Sequence, residues 1–588
     1  MNISDLLKTT CETALKEAFP EKAAEVDPQF LEVTEATQEK FGHYQLNSAM
    51  RLAKILGENP RQIAEKLVSK LNAAPDAEKL LAKIEIAGPG FINFTLNPEF
   101  IAASLQAQIR DPHLGVLPPK KALKVIIDFS SPNTAKEMHV GHLRSTIIGD
   151  SLSRILTFMG HEVLNLNHVG DWGTQFGMLI AYIKTVMPEI TGSAPPDVTL
   201  TELVTWYRAS KERFDNDAEF KKQAQLEVVA LQSGNESSKR AWEYICAISR
   251  KAYQEIYDLL NVQIVERGES FYNLFLANVL KDLEQKGKIS LSQGAKCMYL
   301  EGFTNREGEP LPLILQKSDG GYNYATTDMA ALRHRVQDEK ADWLIYVTDA
   351  GQSLHFQMIF EAAKEAGYYD PNKVRIDHVP FGMVLKPDGK KFKTRSGDTE
   401  RLKDLIEMGI SKAKEKLLEN DKTFSAEELQ TAAEILGINA IKYSDLACHR
   451  ISDYIFSYDK MLKFEGNTAA FLLYAYVRIR SIQRKANVDI KTLIADHAEI
   501  RLQEPSEIAL GLIVCQFSEV LEGTKRELLP NRLTDYLYHL AEKFHSFFHQ
   551  CRVEGSSEQN SRLLLCEAVA QVLLQGVLLL GLKPIDRM

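Results

Sequence analysis

Hydrophobic and polar positions divide the chain into three stretches of different rhythm. Up to about residue 118, helical periodicity gives way to two short β-like runs, Ile84-Glu85-Ile86 and Phe91-Ile92-Asn93-Phe94-Thr95-Leu96. Ala87-Gly88-Pro89-Gly90 between them punctuates a turn, so a small α+β domain is expected over 1–118. A linker, Asp111-Pro112 through Pro118-Pro119-Lys120-Lys121, closes it. Next, Lys124-Val125-Ile126-Ile127-Asp128-Phe129 is a nearly unbroken apolar run, the pattern of a strand buried on both faces of a parallel sheet. Helical periodicity runs from Gly141 to Met159 and stops at Gly160, and Val163-Leu164-Asn165-Leu166 reads as a second strand. After a charged helical stretch at about 195–290, strand signals return at Trp343–Val347 and Val374–Val379. Strands alternating with helices predict a Rossmann-like, doubly wound parallel sheet over 119–400, interrupted by a helical insertion. From 401 to 588 the pattern is helical, which predicts an all-α bundle.

Composition changes this picture little. A chain of 588 residues exceeds what one hydrophobic core supports. The apolar run Leu563–Leu582 carries Glu567, Gln571 and Gln575 at a spacing of four, so it reads as a buried bundle helix and not a membrane span. Seven scattered cysteines with no CxxC pair fit reduced thiols of a cytoplasmic protein and offer no thiolate metal site. A net charge of −9 leans against a broadly basic nucleic-acid binder, so an RNA partner would have to be held by local patches.

Chemistry concentrates in the loop after the first strand of the sheet, Ser130-Ser131-Pro132-Asn133-Thr134-Ala135-Lys136-Glu137-Met138-His139-Val140-Gly141-His142. It joins the carboxyl end of a parallel strand to the amino end of a helix, where free N–H groups and the helix dipole favour phosphate. Gly141 allows close approach of a ligand. His139 and His142 can face one phosphate chain, as charged or as hydrogen-bonding imidazoles. The same pair also has the form of a polar helix cap, or of two metal ligands lacking a third.

His139-Val140-Gly141-His142 resembles the HIGH signature of class I aminoacyl-tRNA synthetases. The longer strings SSPNTAKEMHVGHLRSTIIGD and NHVGDWGTQFGML are similar to the arginyl enzymes in particular. The resemblance extends over essentially the whole chain. It implies a ligase that activates L-arginine with ATP, Mg2+ being the nucleotide's counter-ion, and charges tRNA-Arg. It also implies that activation depends on bound tRNA, and a monomer with no protein-bound metal is expected. His139, Gly141, His142, Gly170 and Asp171 are then assigned to the ATP site. The resemblance likewise assigns Asp128, Tyr324 and Asp328 to the arginine side chain, in keeping with a guanidinium's need for buried carboxylates, and Asn133, Gln352 and Ser131 to its α-amino and carboxylate ends.

The second class I signature, the KMSKS loop, is altered over 386–397. Lys391-Phe392-Lys393-Thr394-Arg395 stands in its place, with Thr394 where the second lysine is usual. Lys391, Lys393 and Arg395 read as a phosphate clamp, and Lys136 is expected to supply the missing positive charge. Toward RNA, the resemblance points to Tyr474, Arg478, Arg480 and Arg484 in the helical domain, and to Phe91 and Asn93 in the amino-terminal one. The rival readings are another class I synthetase, a small nucleotidyltransferase, and a catalytically silent RNA-binding relative.

Overall fold

The computed structural model describes residues 2–75, 77–192, 196–392, 400–420 and 423–588. Its amino-terminal unit is an antiparallel sheet in the order β1-β2-β4-β3, formed by Val33–Glu35, Tyr44–Leu46, Phe91–Leu96 (β4) and Leu81–Ala87 (β3). The strands on either side of Gly88-Pro89-Gly90 pair as expected. β1 and β2 escaped the sequence pattern because three residues are too few to show a period of two. Tertiary contact decides them: Tyr44 is fully buried and pairs with Phe94.

The catalytic-type sheet is five-stranded. Its strands are β5 (Lys124–Asp128), β6 (Glu162–Asn167), β7 (Val265–Glu266), β11 (Trp343–Asp349) and β12 (Arg375–Phe381), in the order β12-β11-β5-β6-β7. Every pairing is parallel. The unbroken apolar runs have a direct cause. Val125 and Ile127 point into one core and Ile126 into another, and Trp343, Ile345 and Val347 alternate with Leu344 and Tyr346 in the same way. The chain leaves β5 toward β6 on one side and returns to β11 on the other. The crevice at their carboxyl ends is therefore a topological switch point, where open α/β sheets bind ligands.

The helix Val140–Phe158 follows β5, and the insertion contributes Leu200–Asn216, Ala218–Gln232 and Glu236–Leu259 before β7, and Glu269–Gln285 after it. An antiparallel sheet of β8 (Ser290–Ser292), β9 (Ala295–Thr304) and β10 (Pro310–Gln316) then precedes the helix Tyr324–Gln337. Beyond β12, Val384–Leu385 (β13) pairs in parallel with Tyr454–Ile455 (β14), tying the start of the basic loop to the helical region.

The carboxyl-terminal bundle includes Ala426–Leu446, Ala469–Ala486, Asn531–Gln550 and Gln559–Leu579. The last is long and apolar enough to cross a membrane, but it lies in the bundle core, with Leu563, Leu564, Val569 and Leu573 fully buried. Its polar stripe has internal partners. Glu567 pairs with Arg480, and Gln571 donates to the Ile109 carbonyl at 3.4 Å.

Candidate active site

After β5 the backbone turns through left-handed conformations at Ser130 (φ 70°), Ser131 (φ 47°) and Ala135 (φ 60°). Each is unfavourable for a residue with a Cβ and persists only where surroundings enforce it. The Ser130 amide donates to Ser145 Oγ at 2.9 Å, and the Ser131 amide donates to Asn167 Oδ1 at 3.0 Å. The loop ends at His139, which caps the helix Val140–Phe158. His139 Nδ1 accepts from the Gly141 amide at 3.1 Å, and His142 Nδ1 accepts from the His139 amide at 3.1 Å. The ring centroids are 4.0 Å apart.

This arrangement chooses between the two expectations for the imidazoles. A nitrogen that accepts from a backbone N–H carries no proton, so both rings are neutral and present Nε2–H as their remaining donor. Burial holds both below the usual histidine range, His142 down to about 3, and Lys136 adds to the effect. The charged alternative therefore does not hold. Gly141 has a second reason to lack a side chain, since a Cβ there would meet the His139 ring at 3.0 Å.

The chain just beyond the altered signature loop reaches this cap. Leu385 bridges to Lys391, which is exposed, and at the other end Arg401 bridges to His139. The Leu402 amide donates to the Met138 carbonyl at 2.8 Å. Lys393, Thr394 and Arg395 lie outside the described residues. Lys136 is exposed, with its ammonium 5.7 Å from the Tyr207 ring centroid.

Across the crevice, Tyr324 and Asp328 begin the helix Tyr324–Gln337. Asp328 Oδ2 is 2.6 Å from His355 Nε2, whose ring centroid is 4.8 Å from that of Tyr324. Tyr324 is 60% exposed, so its ring is available at the mouth of the site. Glu269 is a further acid that the sequence reading missed. Burial and the carboxylates of Asp328 and Asp171 push its pKa up to about 8. No local signal marks Glu269 or His355, because each acquires its meaning from Asp328, distant in sequence. Gln352 donates to Asp349 Oδ2 at 2.7 Å, at the carboxyl end of β11.

The Asp128 carboxylate pairs at 2.7 Å with Arg335, which is 1% exposed and flanked by the Tyr272 and Tyr346 rings. Ser131 Oγ donates to the same carboxylate at 3.1 Å. Asp171 is buried and accepts from the Ser270 amide at 2.8 Å and Ser270 Oγ at 2.6 Å, so it caps the helix Glu269–Gln285. Gly170 makes room for Asn133, whose Oδ1 would lie 2.4 Å from a Cβ at that position, while Asn133 itself is exposed.

Asn93 is 5% exposed and accepts from Gln45 Nε2 at 2.6 Å across paired strands. Arg480 is turned toward Glu567 and Gln483 inside the bundle. Phe91 is half-buried, whereas Tyr474 and Arg484 are exposed and Arg478 stacks 4.3 Å over the Phe548 ring.

Residues 109–458 match the family model of tRNA synthetases class I (R), catalytic domain. Residues 472–588 match the DALR anticodon binding domain, and residues 5–96 the arginyl tRNA synthetase N terminal domain. The chain is 57% identical over 584 residues to the arginine–tRNA ligase of Protochlamydia amoebophila, covering 99% of each. It superimposes on the arginyl-tRNA synthetase of Plasmodium falciparum with a TM-score of 0.85 and 35% identity, covering 100% of both chains. The Thermus thermophilus arginyl-tRNA synthetase shares the fold with a TM-score of 0.77 at 23% identity, covering 99% of this chain and 100% of its own. A likeness spanning all three domains, with the histidine cap and acidic crevice in place, makes this chain a member of the class I arginyl-tRNA synthetase family.

Proposed function

We propose that the chain works as an arginine–tRNA ligase through the two groups that meet at the carboxyl edge of its parallel sheet, the neutral His139–His142 cap and the acidic crevice around Asp328. ATP is the nucleotide, with magnesium as its counter-ion. The arginine carboxylate attacks the α-phosphate, a new P–O bond forms, and the bond to the β-phosphate breaks to release pyrophosphate. A hydroxyl of the tRNA terminal ribose then attacks the arginyl carbonyl, and AMP leaves. Neither step needs a nucleophile from the protein, so positioning and charge stabilisation supply the rate.

The observation that carries this reading is the tautomer of the cap. Two imidazoles fixed as acceptors at Nδ1 present Nε2–H donors that stay neutral through physiological pH, suited to phosphate oxygens whose charge grows as pyrophosphate departs. Lys136, with Lys391, Lys393 and Arg395, provides the positive charge. Asp328, Glu269 and Tyr324 hold the guanidinium, and Ser131, Asn133 and Gln352 hold the α-amino and carboxylate end. A neutral competitor would forgo the charge-assisted hydrogen bonds to these acids, at about 1.5–3 kcal/mol each. Tyr474, Arg478 and Arg484 meet the tRNA through a local basic and aromatic face, since the net charge of −9 gives no general attraction. The reading carries with it a monomeric, cytoplasmic enzyme.

The test is ATP–pyrophosphate exchange with each amino acid in turn, with and without tRNA. Exchange with arginine alone, dependent on tRNA, is expected. Exchange with another amino acid overturns the pocket, and none at all overturns the ligase reading. Lys136→Ala should slow activation far more than it weakens arginine binding.

A further inference from the structure

The helix Glu236–Leu259 belongs to the insertion, and its role was not legible in the sequence. One face of it carries Ser249, Tyr253 and Tyr257, each one turn after the last, and all three are buried. They meet the strained loop at successive points. The Ala135 amide donates to Ser249 Oγ at 3.0 Å, and Ser249 Oγ in turn donates to the Ile245 carbonyl at 3.0 Å. The Tyr253 hydroxyl lies 2.6 Å from the Asn133 carbonyl and 2.9 Å from the Lys136 carbonyl, sharing its hydrogen between them. The Tyr257 hydroxyl lies 2.8 Å from Ser130 Oγ and accepts from Asn167 Nδ2 at 3.0 Å.

These contacts coincide with the left-handed residues. Ser130 and Ala135 are two of the three, and the Tyr253 hydroxyl bridges the carbonyls on either side of Ala135. Ser131 and Asn133 on one side, and Lys136 and His139 on the other, are therefore held in one frame by a single helix. Burial keeps both tyrosines protonated at physiological pH, Tyr257 with its pKa pushed up to about 12, so the hydroxyls remain donors.

We propose that Ser249, Tyr253 and Tyr257 are positioning residues for arginine activation: the insertion helix is a clamp that holds the loop from Ser130 to Lys136 in its left-handed conformation, so that the groups gripping the amino acid and those facing the phosphates stay in register. This rests on the ligase reading. It assigns the insertion a task in the first half-reaction. The energetics favour such a device. A loop with three unfavourable φ values relaxes unless external donors and acceptors hold it, and a shift of about 1 Å between reacting groups costs on the order of 100-fold in rate.

Tyr253→Phe removes both contacts to the loop carbonyls while keeping the ring in the core. The variant should show faster backbone hydrogen exchange across residues 130–139 and a kcat for arginine-dependent pyrophosphate exchange lowered by roughly tenfold or more. ATP affinity and the thermal midpoint should change little. Adding Ala135→Gly should recover several-fold of the loss, because glycine adopts the left-handed conformation without a side-chain penalty. A defect confined to core packing would not be rescued in that way. Unchanged hydrogen exchange in Tyr253→Phe overturns the clamp whether or not the protein proves to be an arginine ligase. Equally, a kcat within twofold of the unaltered chain, a loss accompanied by a matching fall in midpoint, or no rescue by Ala135→Gly overturns it. Absence of exchange in the unaltered chain counts against the ligase reading alone, leaving the hydrogen-exchange result to decide the clamp.

Discussion

Arg144 and Asp445 form an ion pair at 3.2 Å with both side chains 0% exposed. Arg144 sits two residues beyond His142, and its guanidinium also donates to the Gly382 carbonyl at 2.8 Å and the Ser452 carbonyl at 3.0 Å, between the Phe381 and Tyr454 rings. One side chain thus joins the histidine helix to the residues two positions before β13 and before β14. Arg144→Met should destabilise the protein by about 3–5 kcal/mol, since it strands a buried carboxylate. Adding Asp445→Leu should recover most of that stability in urea denaturation. It should not recover the activation rate, because the Gly382 and Ser452 carbonyls remain without their donor. Full recovery of both would mean the pair serves stability only.

The neutral histidine cap has a pH signature. His142 is held at about 3 in the folded chain, below the ordinary value near 6.5 that it regains on unfolding. Below pH 6.5 the unfolded state takes up a proton that the folded state refuses. The stability contributed by this group is therefore present above pH 6.5 and lost as pH falls toward 3, at about 1.4 kcal/mol per pH unit. Denaturation between pH 7.5 and 5.5 should show the decline, and His142→Gln should reduce its slope. An equal slope in the variant would contradict the burial-driven shift.

Glu269 behaves in the opposite sense. Its pKa of about 8 leaves the carboxyl largely protonated at neutral pH. A guanidinium bound beside it favours the carboxylate, so arginine binding should release a proton, and affinity should rise with pH until it levels off above about 8. Glu269→Gln should abolish both effects and weaken arginine binding by about 10- to 100-fold, since a hydrogen bond to a charged group contributes about 1.5–3 kcal/mol. Calorimetry in buffers of different ionisation enthalpy measures the proton directly.

Asp128→Asn separates a structural role from a ligand role. The substitution leaves Arg335, 1% exposed, without its charge partner, and should cost about 3–5 kcal/mol of stability. A variant of ordinary stability with reduced arginine affinity would return Asp128 to the amino-acid pocket.

The bundle arginines should divide in the same way. Arg480→Ala leaves Glu567 with only the neutral donors Gln483 and Gln571 and should lower stability by about 2 kcal/mol. Arg484→Ala, at an exposed position, should raise the KM for tRNA with the thermal midpoint unchanged.

Some of this protein is determined by its sequence alone. The strands β5, β6, β11 and β12 were legible because a buried parallel strand must be apolar at successive positions, whatever packs against it. The HVGH loop was legible because the chemistry of a strand-to-helix turn at a sheet edge depends on neighbours in the chain: His139 and His142 reach each other's backbone within one helical turn. The turn Gly88-Pro89-Gly90 declared itself for the same local reason. What only the tertiary structure decided are the fates of charges. Asp128, Asp171, Asn93 and Arg480 are polar residues at positions that suit a ligand, and each is taken by a partner far away in the chain: Arg335, Ser270, Gln45 and Glu567. Burying a charge or amide demands a matched partner, and that partner is chosen by packing, which no local pattern records. Glu269, His355 and the Ser249-Tyr253-Tyr257 face gain their roles in the converse way, as ordinary helix residues that folding brings against Asp328 and the strained loop.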